Sequence, residues 1–319
     1  MGIKTEVINS GEKSISVPVS FKSEMVSKAF VPPSRGIYRR DFYSGTGIVK
    51  KLMSETGEKL FNFLEFTKYD LYKIINEMDS LKDYLPPTAL VEDFYSVISF
   101  IEEHDKVILK PVDISGGRGI CIIDKKEESF KVKDCRKRES SEILLLGVEE
   151  FEKFFNEEIN CINNYIVQKY IKLARIEYSV YDIRVVMQKG KENKWNCSGI
   201  ECRVGKTNFL LTNVYKSEYS LSLVEALKKS FPIGCNYEKI MEEINELCLN
   251  ICNALDKAGE HFLEFGMDIA IDEDKKLWLI EVNALPGFKG FKVMDYNTYL
   301  SIRYSPLLYA ASQEGFKGD

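Results

Sequence analysis

The stretch Phe265-Gly-Met-Asp268-Ile-Ala-Ile-Asp272-Glu-Asp-Lys-Lys276-Leu277-Trp-Leu-Ile-Glu281-Val-Asn283 decides how the rest of this 319-residue chain is read. Two apolar runs flank the charged tetrapeptide 273–276, the pattern of a β-hairpin. With those four residues as the turn, Asp272 faces Leu277, and counting outward sets Asp268 directly opposite Glu281. Like charges opposed on a buried sheet face destabilise it, and burying an unpaired carboxylate is costly, so the pattern calls for something cationic between them. Asn283 lies two residues past Glu281 and points to the same face. Two carboxylates and an amide oxygen on one face suit Mg2+, which takes oxygen ligands and completes its shell with water and substrate phosphates. The alternative is that Asp268 and Glu281 pair with a lysine or arginine from elsewhere in the chain.

Histidine is almost missing: His104 and His261 are the only two. A His-based triad or a His-rich metal site has nothing to work with, so chemistry falls to carboxylates, lysines and arginines. Lys and Arg number 44 against 49 Asp and Glu, a net charge of −5, which removes the basic footprint of a nucleic-acid or anionic-membrane binder. The eight cysteines are scattered without a Cys-x-x-Cys pair, which argues against structural zinc. Cys248 and Cys252, four apart, read as small core residues on one helix face. No apolar signal segment opens the sequence and no run approaches the ~18 apolar residues of a membrane span. The expectation is a cytoplasmic protein with reduced thiols, with no nucleic-acid or membrane partner. The length predicts two or three packed subdomains.

Along the chain, the first forty residues are weakly patterned. Leu71, Ile74, Ile75, Met78 and Leu81 recur at helical spacing, with Thr67 as N-cap and Leu85-Pro-Pro-Thr88 ending the helix. Val107-Ile-Leu109 and Gly119-Ile-Cys-Ile-Ile123 are β-rich and flank Ser115-Gly116-Gly117-Arg-Gly119, a hairpin with a glycine-rich tip. Phe151, Phe154 and Phe155 mark a helix, and Tyr165-Ile-Val-Gln168 a buried strand. Strands at 182–188 and 195–203 suit an antiparallel sheet, and Ile240, Ile244, Leu247, Ile251 and Leu255 give the clearest helix.

Several polar positions stand out against this pattern. A glycine-rich tip lets backbone N–H groups approach an anion, and Lys110 at the strand end just before it is placed to reach the same anion. The commoner use of such a tip is simply a tight turn. Gly205-Lys-Thr207 is a decoy: a P-loop would need glycine at position 200, which is Ile200. Arg184 and Arg203 sit inside strands, where arginine needs a partner or an anion; for Arg184 the bland alternative is a salt bridge to Asp182. Asn213 has no reading of its own.

Taken in order, residues 60–68, 84–88, Ile108-Leu-Lys110 with its glycine tip, Val167-Gln-Lys-Tyr-Ile171, Asp182-Ile-Arg184, Arg203-Val-Gly and the Asp268…Glu281-Val-Asn283 hairpin resemble the ATP-grasp superfamily, most closely its spore-coat-associated YheC/YheD branch. The likeness covers residues from about 60 to about 290. It implies an α+β fold in which two lobes enclose a nucleotide cleft: an N-terminal region at 1–66, lobe A at 67–167 and lobe B at 168–319. It implies ATP with Mg2+, two ions by the family's habit and replaceable by Mn2+, held by Asp268, Glu281 and Asn283. Lys68 and Lys110 match the family's phosphate- and adenine-side lysines, Ser115, Gly116, Gly117 and Gly119 its mobile loop, and Gln168, Lys169, Tyr170 and Ile171 its adenine-side linker. Arg184, Arg203 and Asn213 match the groups that grip the transferred phosphoryl group and the acyl substrate. One departure is that the family's glycine pair after the asparagine is here Tyr215-Lys-Ser217. The implied activity is an ADP-forming carboxylate–amine ligase, joining an amino acid or peptide through an acyl phosphate. Its partners would be a small carboxylate and an amine, and its oligomeric state stays open. The rival readings are a phosphotransferase on a small molecule and a catalytically silent coat or scaffold protein that keeps the fold.

Overall fold

The computed structural model describes residues 20–21, 24–25, 37–38, 60–62, 67–114, 118–136, 142–159, 165–205, 217–257 and 262–313. Within these, the hairpin that opened the reading is present: strand β11 (Glu264–Ile271) pairs antiparallel with β12 (Leu277–Asn283), and Asp268 stands opposite Glu281. The register arrives by an unexpected route. Ile271, not Asp272, faces Leu277, so the turn is one residue longer than counted; a bulge between Asp268 and Ile269 then restores the expected pairing. Asp272 belongs to the turn, where its carboxylate accepts from the N–H groups of Asp274 and Lys276 at 3.0 and 2.8 Å and from Trp278 Nε1 at 2.8 Å. An aspartate that bonds to its own following backbone is characteristic turn chemistry.

Two six-stranded antiparallel sheets organise the α+β fold. In the first, β1 (Thr88–Leu90), β2 (Lys106–Pro111), β3 (Cys121–Lys125), β4 (Phe130–Asp134), β5 (Glu142–Leu146) and β6 (Tyr165–Lys169) take the order β1-β6-β2-β3-β4-β5. The second contains β7 (Arg175–Ile176), β8 (Ser179–Lys189), β9 (Trp195–Gly205) and β10 (Ser217–Leu221) together with the hairpin, in the order β10-β9-β8-β11-β12, with β7 on β8. Helix α1 (Lys68–Asn76) has Thr67 as its N-cap, Oγ1 accepting from Asp70 N–H at 3.1 Å. It stops at Asn76, well before the prolines expected to end it. Met78 and Leu81 continue the apolar spacing through single turns, Met78 N–H to Ile75 O and Leu81 N–H to Met78 O.

Alternation along each strand sorts the faces. In the first sheet Val107, Leu109, Cys121, Ile123, Val132, Tyr165 and Val167 meet α2 (Phe94–His104) and α3 (Val148–Phe154) in one core. In the second sheet Tyr181, Ile183, Val185 and Met187 share a core with Leu223 and Leu227 of α4 (Leu223–Ser230) and with Ile240, Ile244, Leu247, Cys248, Ile251 and Cys252 of α5 (Tyr237–Lys257). Each such aliphatic side chain contributes about 1.5–3 kcal/mol when fully buried. Leu71, Ile75, Leu81 and Leu85 join this second core although they precede the first sheet in sequence. No helix among the described residues is long and apolar enough to cross a membrane.

The opposite face of β8 positions the site. Its second half, with Val186, lies under α6 (Lys289–Met294) and α7 (Tyr296–Gln313) through Phe288, Phe291 and Ile302. Its first half carries Asp182 and Arg184, both buried, and forms the floor of the site.

Asn62 ties the N-terminal part of the chain to the hairpin. Asn62, fully buried with φ 57°, accepts at Oδ1 from Leu263 N–H at 2.7 Å and donates through Nδ2 to Glu264 O at 3.1 Å and Ala284 O at 2.5 Å. It thus clamps the two strands together at the open end of the β11–β12 pair, next to Asn283. Asn62→Ala is expected to lower unfolding free energy by about 2–4 kcal/mol, because it strands a buried N–H and a buried C=O and puts alanine at positive φ. Denaturant midpoints measured beside those of Asn62→Gly, which relieves only the backbone, check this.

Candidate functional site

The cleft floor is an ion-pair row laid across β9, β8 and β11. The ladder sets Asp182 opposite Arg203, and Arg184 between Glu201 and Asp268. The alternative partner considered for Arg184 is not the one it takes. Arg184 turns away from Asp182 and binds Asp268 with two nitrogens, Nε to Oδ1 at 2.5 Å and Nη2 to Oδ2 at 3.1 Å. Asp182 instead takes Arg203, Nε and Nη2 each at 2.7 Å, and Arg203 Nη2 reaches on to Asp268 Oδ1 at 3.1 Å. Asp182, Arg184, Arg203 and Asp268 are all buried. Burial alone would raise the Asp268 pKa; the Arg184 and Arg203 guanidiniums outweigh it and hold the carboxyl below its ordinary range. For Arg203, burial favours loss of charge, but Asp268 and Asp182 overcome it and raise its pKa further. At the far end, Glu201 is buried with Oε2 unpartnered, and burial pushes its pKa up against the pull of Arg203 and Arg184. Gly266, two residues before Asp268, has to lack a side chain: a Cβ there would stand 2.5 Å from Pro286 Cβ and 3.4 Å from Arg184 Cδ.

The two opposed carboxylates therefore differ. Asp268 is committed to guanidinium partners. Glu281 is half-exposed and faces Lys68, Nζ to Oε1 at 3.7 Å, and Asn283 lies beyond it on the same face. Among the described residues no group of three His, Cys, Asp or Glu side chains is gathered as for a metal ion. The donor chemistry nonetheless suits Mg2+: hard oxygens only, with Glu281 open to the cleft and a lone-pair direction left on Asp268 Oδ2, which accepts a single bond.

Across the cleft, Lys110 and Gln168 come from neighbouring strands of the first sheet. Lys110 Nζ donates to Gln168 Oε1 at 2.6 Å, Gln168 Nε2 to Thr88 Oγ1 at 2.8 Å, and Thr88 Oγ1 to Pro86 O at 2.7 Å. This relay fixes the lysine's direction from three elements. Lys68 Nζ, besides facing Glu281, donates to Ile114 O at 2.6 Å. A recess next to these groups is walled by Leu71, Tyr72, Leu85, Ile166, Leu279 and Ile280, an apolar slot between sheets with two cations at its mouth. Lys169 N–H and Tyr170 N–H are spent on Pro87 O and Lys106 O, both 2.9 Å. Lys106 Nζ lies 4.2 Å over the Tyr170 ring. Ile171 is half-buried. Gly119 has φ 77°, a Cβ there would stand 2.8 Å from Pro111 Cγ, and its carbonyl accepts from Tyr165 Oη at 3.0 Å. Ser115, Gly116, Gly117 and Asn213 lie outside the described residues.

Complete burial lowers the Lys110 pKa from 10.5 to about 8, with Glu281 pulling it up and Lys68 pushing it down. Between about pH 8 and 10.5 the unfolded chain binds more protons at this site, so the ligand-free protein gains stability as pH rises there. An anionic ligand, which needs the charged amine, is expected to bind fully below about pH 8 and up to about tenfold more weakly per unit above it. ATP titrations and thermal melts at successive pH values, with Lys110→Met as the reference lacking both trends, check this.

Sequence reasoning missed Asn62, Thr88 and Glu201. Asn62 and Thr88 lie in the 60–68 and 84–88 segments that carry the resemblance, but the resemblance assigns neither a role there. Glu201 shares a strand face with Arg203 two residues on, and that alternation was the signal available.

With this geometry in view, the chain belongs to the family described as YheC/D like ATP-grasp, whose model matches residues 57–312. Among known proteins it resembles the endospore coat-associated proteins YheC of Bacillus subtilis (strain 168), 22% identical over 70% of this chain and 60% of that one, and YheD, 21% over 75% and 52%. It also resembles the probable tubulin polyglutamylase TTLL9 of Mus musculus, 25% identical over 74% of this chain and 60% of that one. The chain thus spans between half and three fifths of these relatives' lengths. Among solved structures, N5-carboxyaminoimidazole ribonucleotide synthetase from Thermotoga maritima aligns with a TM-score of 0.47 and 12% identity over 82% of this chain and 54% of that one. ATP-grasp proteins typically are ATP-dependent ligases that use ATP with Mg2+.

Proposed function

We propose that this protein is an ADP-forming carboxylate–amine ligase acting on an amino acid or a peptide. The observation that carries the reading is the gathering of cations about two opposed carboxylates: Lys68 and Lys110 near Glu281, and Arg184 and Arg203 on the Asp268 that stands opposite it. In such a reaction a substrate carboxylate oxygen bonds to the γ-phosphorus of ATP as the bond to the β–γ bridging oxygen breaks, and ADP leaves. The amine nitrogen then bonds to the acyl carbon, phosphate departs, and the amine gives up its proton. Chemistry of this kind depends on positioning and charge neutralisation rather than on a protein nucleophile, which suits a site without histidine.

Lys110, aimed by Gln168 and Thr88, would hold phosphate oxygens. Arg184 and Arg203, locked by Asp268 and Asp182, would present fixed positive charge to the acyl phosphate without reorganising. Mg2+ held by Glu281, Asn283 and Asp268 would supply further charge neutralisation at the phosphates. The experiment is a screen of amino acids and dipeptides for ADP release, with hydroxylamine present to trap an acyl phosphate as the hydroxamate. ADP release that needs both an acid and an amine, with hydroxamate formed in place of product, is expected. A stable phosphorylated product without any amine requirement would make it a phosphotransferase. No Mg2+–nucleotide thermal shift at all would make it a silent member of the family.

A further inference from the structure

The first sheet ends on β5, which pairs with β4 and has no strand on its other side among the described residues. Natural edge strands are usually blunted by charge, proline or bulges, because their unpaired N–H and C=O groups recruit other chains. The exposed face of this edge carries large aliphatic side chains instead: Ile143 and Leu145 are 58% and 68% exposed, while Leu144 and Leu146 pack into the core behind them. The register continues the face inward. Ile143 lies opposite Lys133 and Leu145 opposite Lys131; Lys133 is opposite Ile122, and Ile122 opposite Ile108. Lys110, two residues past Ile108, lies on that face too. The outer end of this side of the sheet thus carries two bare aliphatics backed by two lysines. Neither Lys131 nor Lys133 makes an ion pair among the described residues.

We propose that this edge receives an extended acidic peptide segment of a partner by strand addition. A strand laid beside β5 would place alternate side chains over Ile143 and Leu145, and two strand spacings, about 9–10 Å, separate it from β4. Glutamate suits that step: its methylenes cover the aliphatics while its carboxylate meets a lysine reaching outward along its own stem. Main-chain bonds to the open edge supply affinity, and the two lysines select against basic or neutral segments.

The test is fluorescence anisotropy of a labelled peptide alternating Glu and Thr, without nucleotide, so that it stands or falls independently of the ligase reading. The full chain is expected to bind it, more weakly as salt is added, and to ignore a Lys/Thr peptide. The double charge reversal Lys131→Glu, Lys133→Glu and the double change Ile143→Thr, Leu145→Thr should each weaken binding about tenfold or more. These side chains are exposed or half-exposed, and unchanged melts confirm that the variants fold. Methylating alternate peptide nitrogens on the edge-facing side should also weaken binding about tenfold, because it removes the ladder bonds. The proposal is overturned by no binding to the unaltered protein, by equal binding of the basic peptide, or by indifference to either double variant or to methylation. Concentration-dependent self-association that disappears in the Ile143→Thr, Leu145→Thr protein would overturn it too, since the edge would then be covered by a second copy.

Discussion

Glu281→Gln is expected to reduce Mg2+-dependent ADP release by about a thousandfold or more while leaving the ligand-free fold intact. The two halves of this result have separate causes. Glu281 is half-exposed and its one ion pair, with Lys68, is 3.7 Å long. Such pairs contribute about 0–1 kcal/mol, and the isosteric amide removes no volume, so the ligand-free melt should hardly move. The lost charge is the one carboxylate of the opposed pair not already committed to arginine. Without it, a Mg2+ ion at this site would lose a charged donor and the phosphates would lose neutralisation where negative charge accumulates, a kind of loss that costs orders of magnitude in rate. Thermal shift with Mg2+ and ATP supplies the second readout: the increment seen for the unaltered protein should vanish in the variant. Asp268→Asn makes the contrast, because it strips charge from a carboxylate that two buried guanidiniums depend on, and it should lower stability even without ligand. Near-normal turnover of Glu281→Gln would sink the metal role of this residue.

What the sequence could and could not reveal follows from range. The hairpin was legible because strand alternation and turn chemistry are local, and its opposed carboxylates announced a buried charge problem. The solution to that problem was partly invisible: which arginine answers which aspartate depends on how β8, β9 and β11 line up, and that register sets Arg203 opposite Asp182 and Arg184 opposite Asp268. The register at Asp268 was reached by two compensating errors, a turn one residue short and an unseen bulge. A bulge in an all-apolar run such as Leu277-Trp-Leu-Ile leaves no compositional mark. Helix α1 was legible at its start, where Thr67 caps it, but not at its end, since Met78 and Leu81 keep helical spacing while serving the core from turns. The same limit hid Asn62, whose partners are more than 200 positions away.

The floor itself yields the largest stability effect. Arg203→Met removes a guanidinium that makes two 2.7 Å bonds to Asp182 and one of 3.1 Å to Asp268, leaving buried carboxylates under-compensated. Breaking one partner out of a buried network costs about 3–5 kcal/mol, against a typical domain stability of about 5–15 kcal/mol. The pH dependence identifies the cause. In the unaltered protein the Asp268 pKa is lowered, so its contribution is present above the unfolded carboxyl pKa and fades as pH falls through the folded value. In the variant Asp182 stays buried but loses the guanidinium that binds both of its oxygens, so protonating its carboxyl costs less folding free energy than in the unaltered protein. Lowering the pH therefore costs the variant less than it costs the unaltered protein. The gap between the two proteins should therefore be widest near neutral pH and narrow as pH drops toward about 4. Arg203→Lys, which keeps the charge but cannot bind both carboxylate oxygens of Asp182 side-on, should fall between them. Adding Asp182→Asn to Arg203→Met should recover part of the loss, since it removes the stranded charge itself. Unfolding free energies across pH for these four proteins test the account: a gap independent of pH would mean that Arg203 acts by filling space, and that the row on the cleft floor is not held together by its charges.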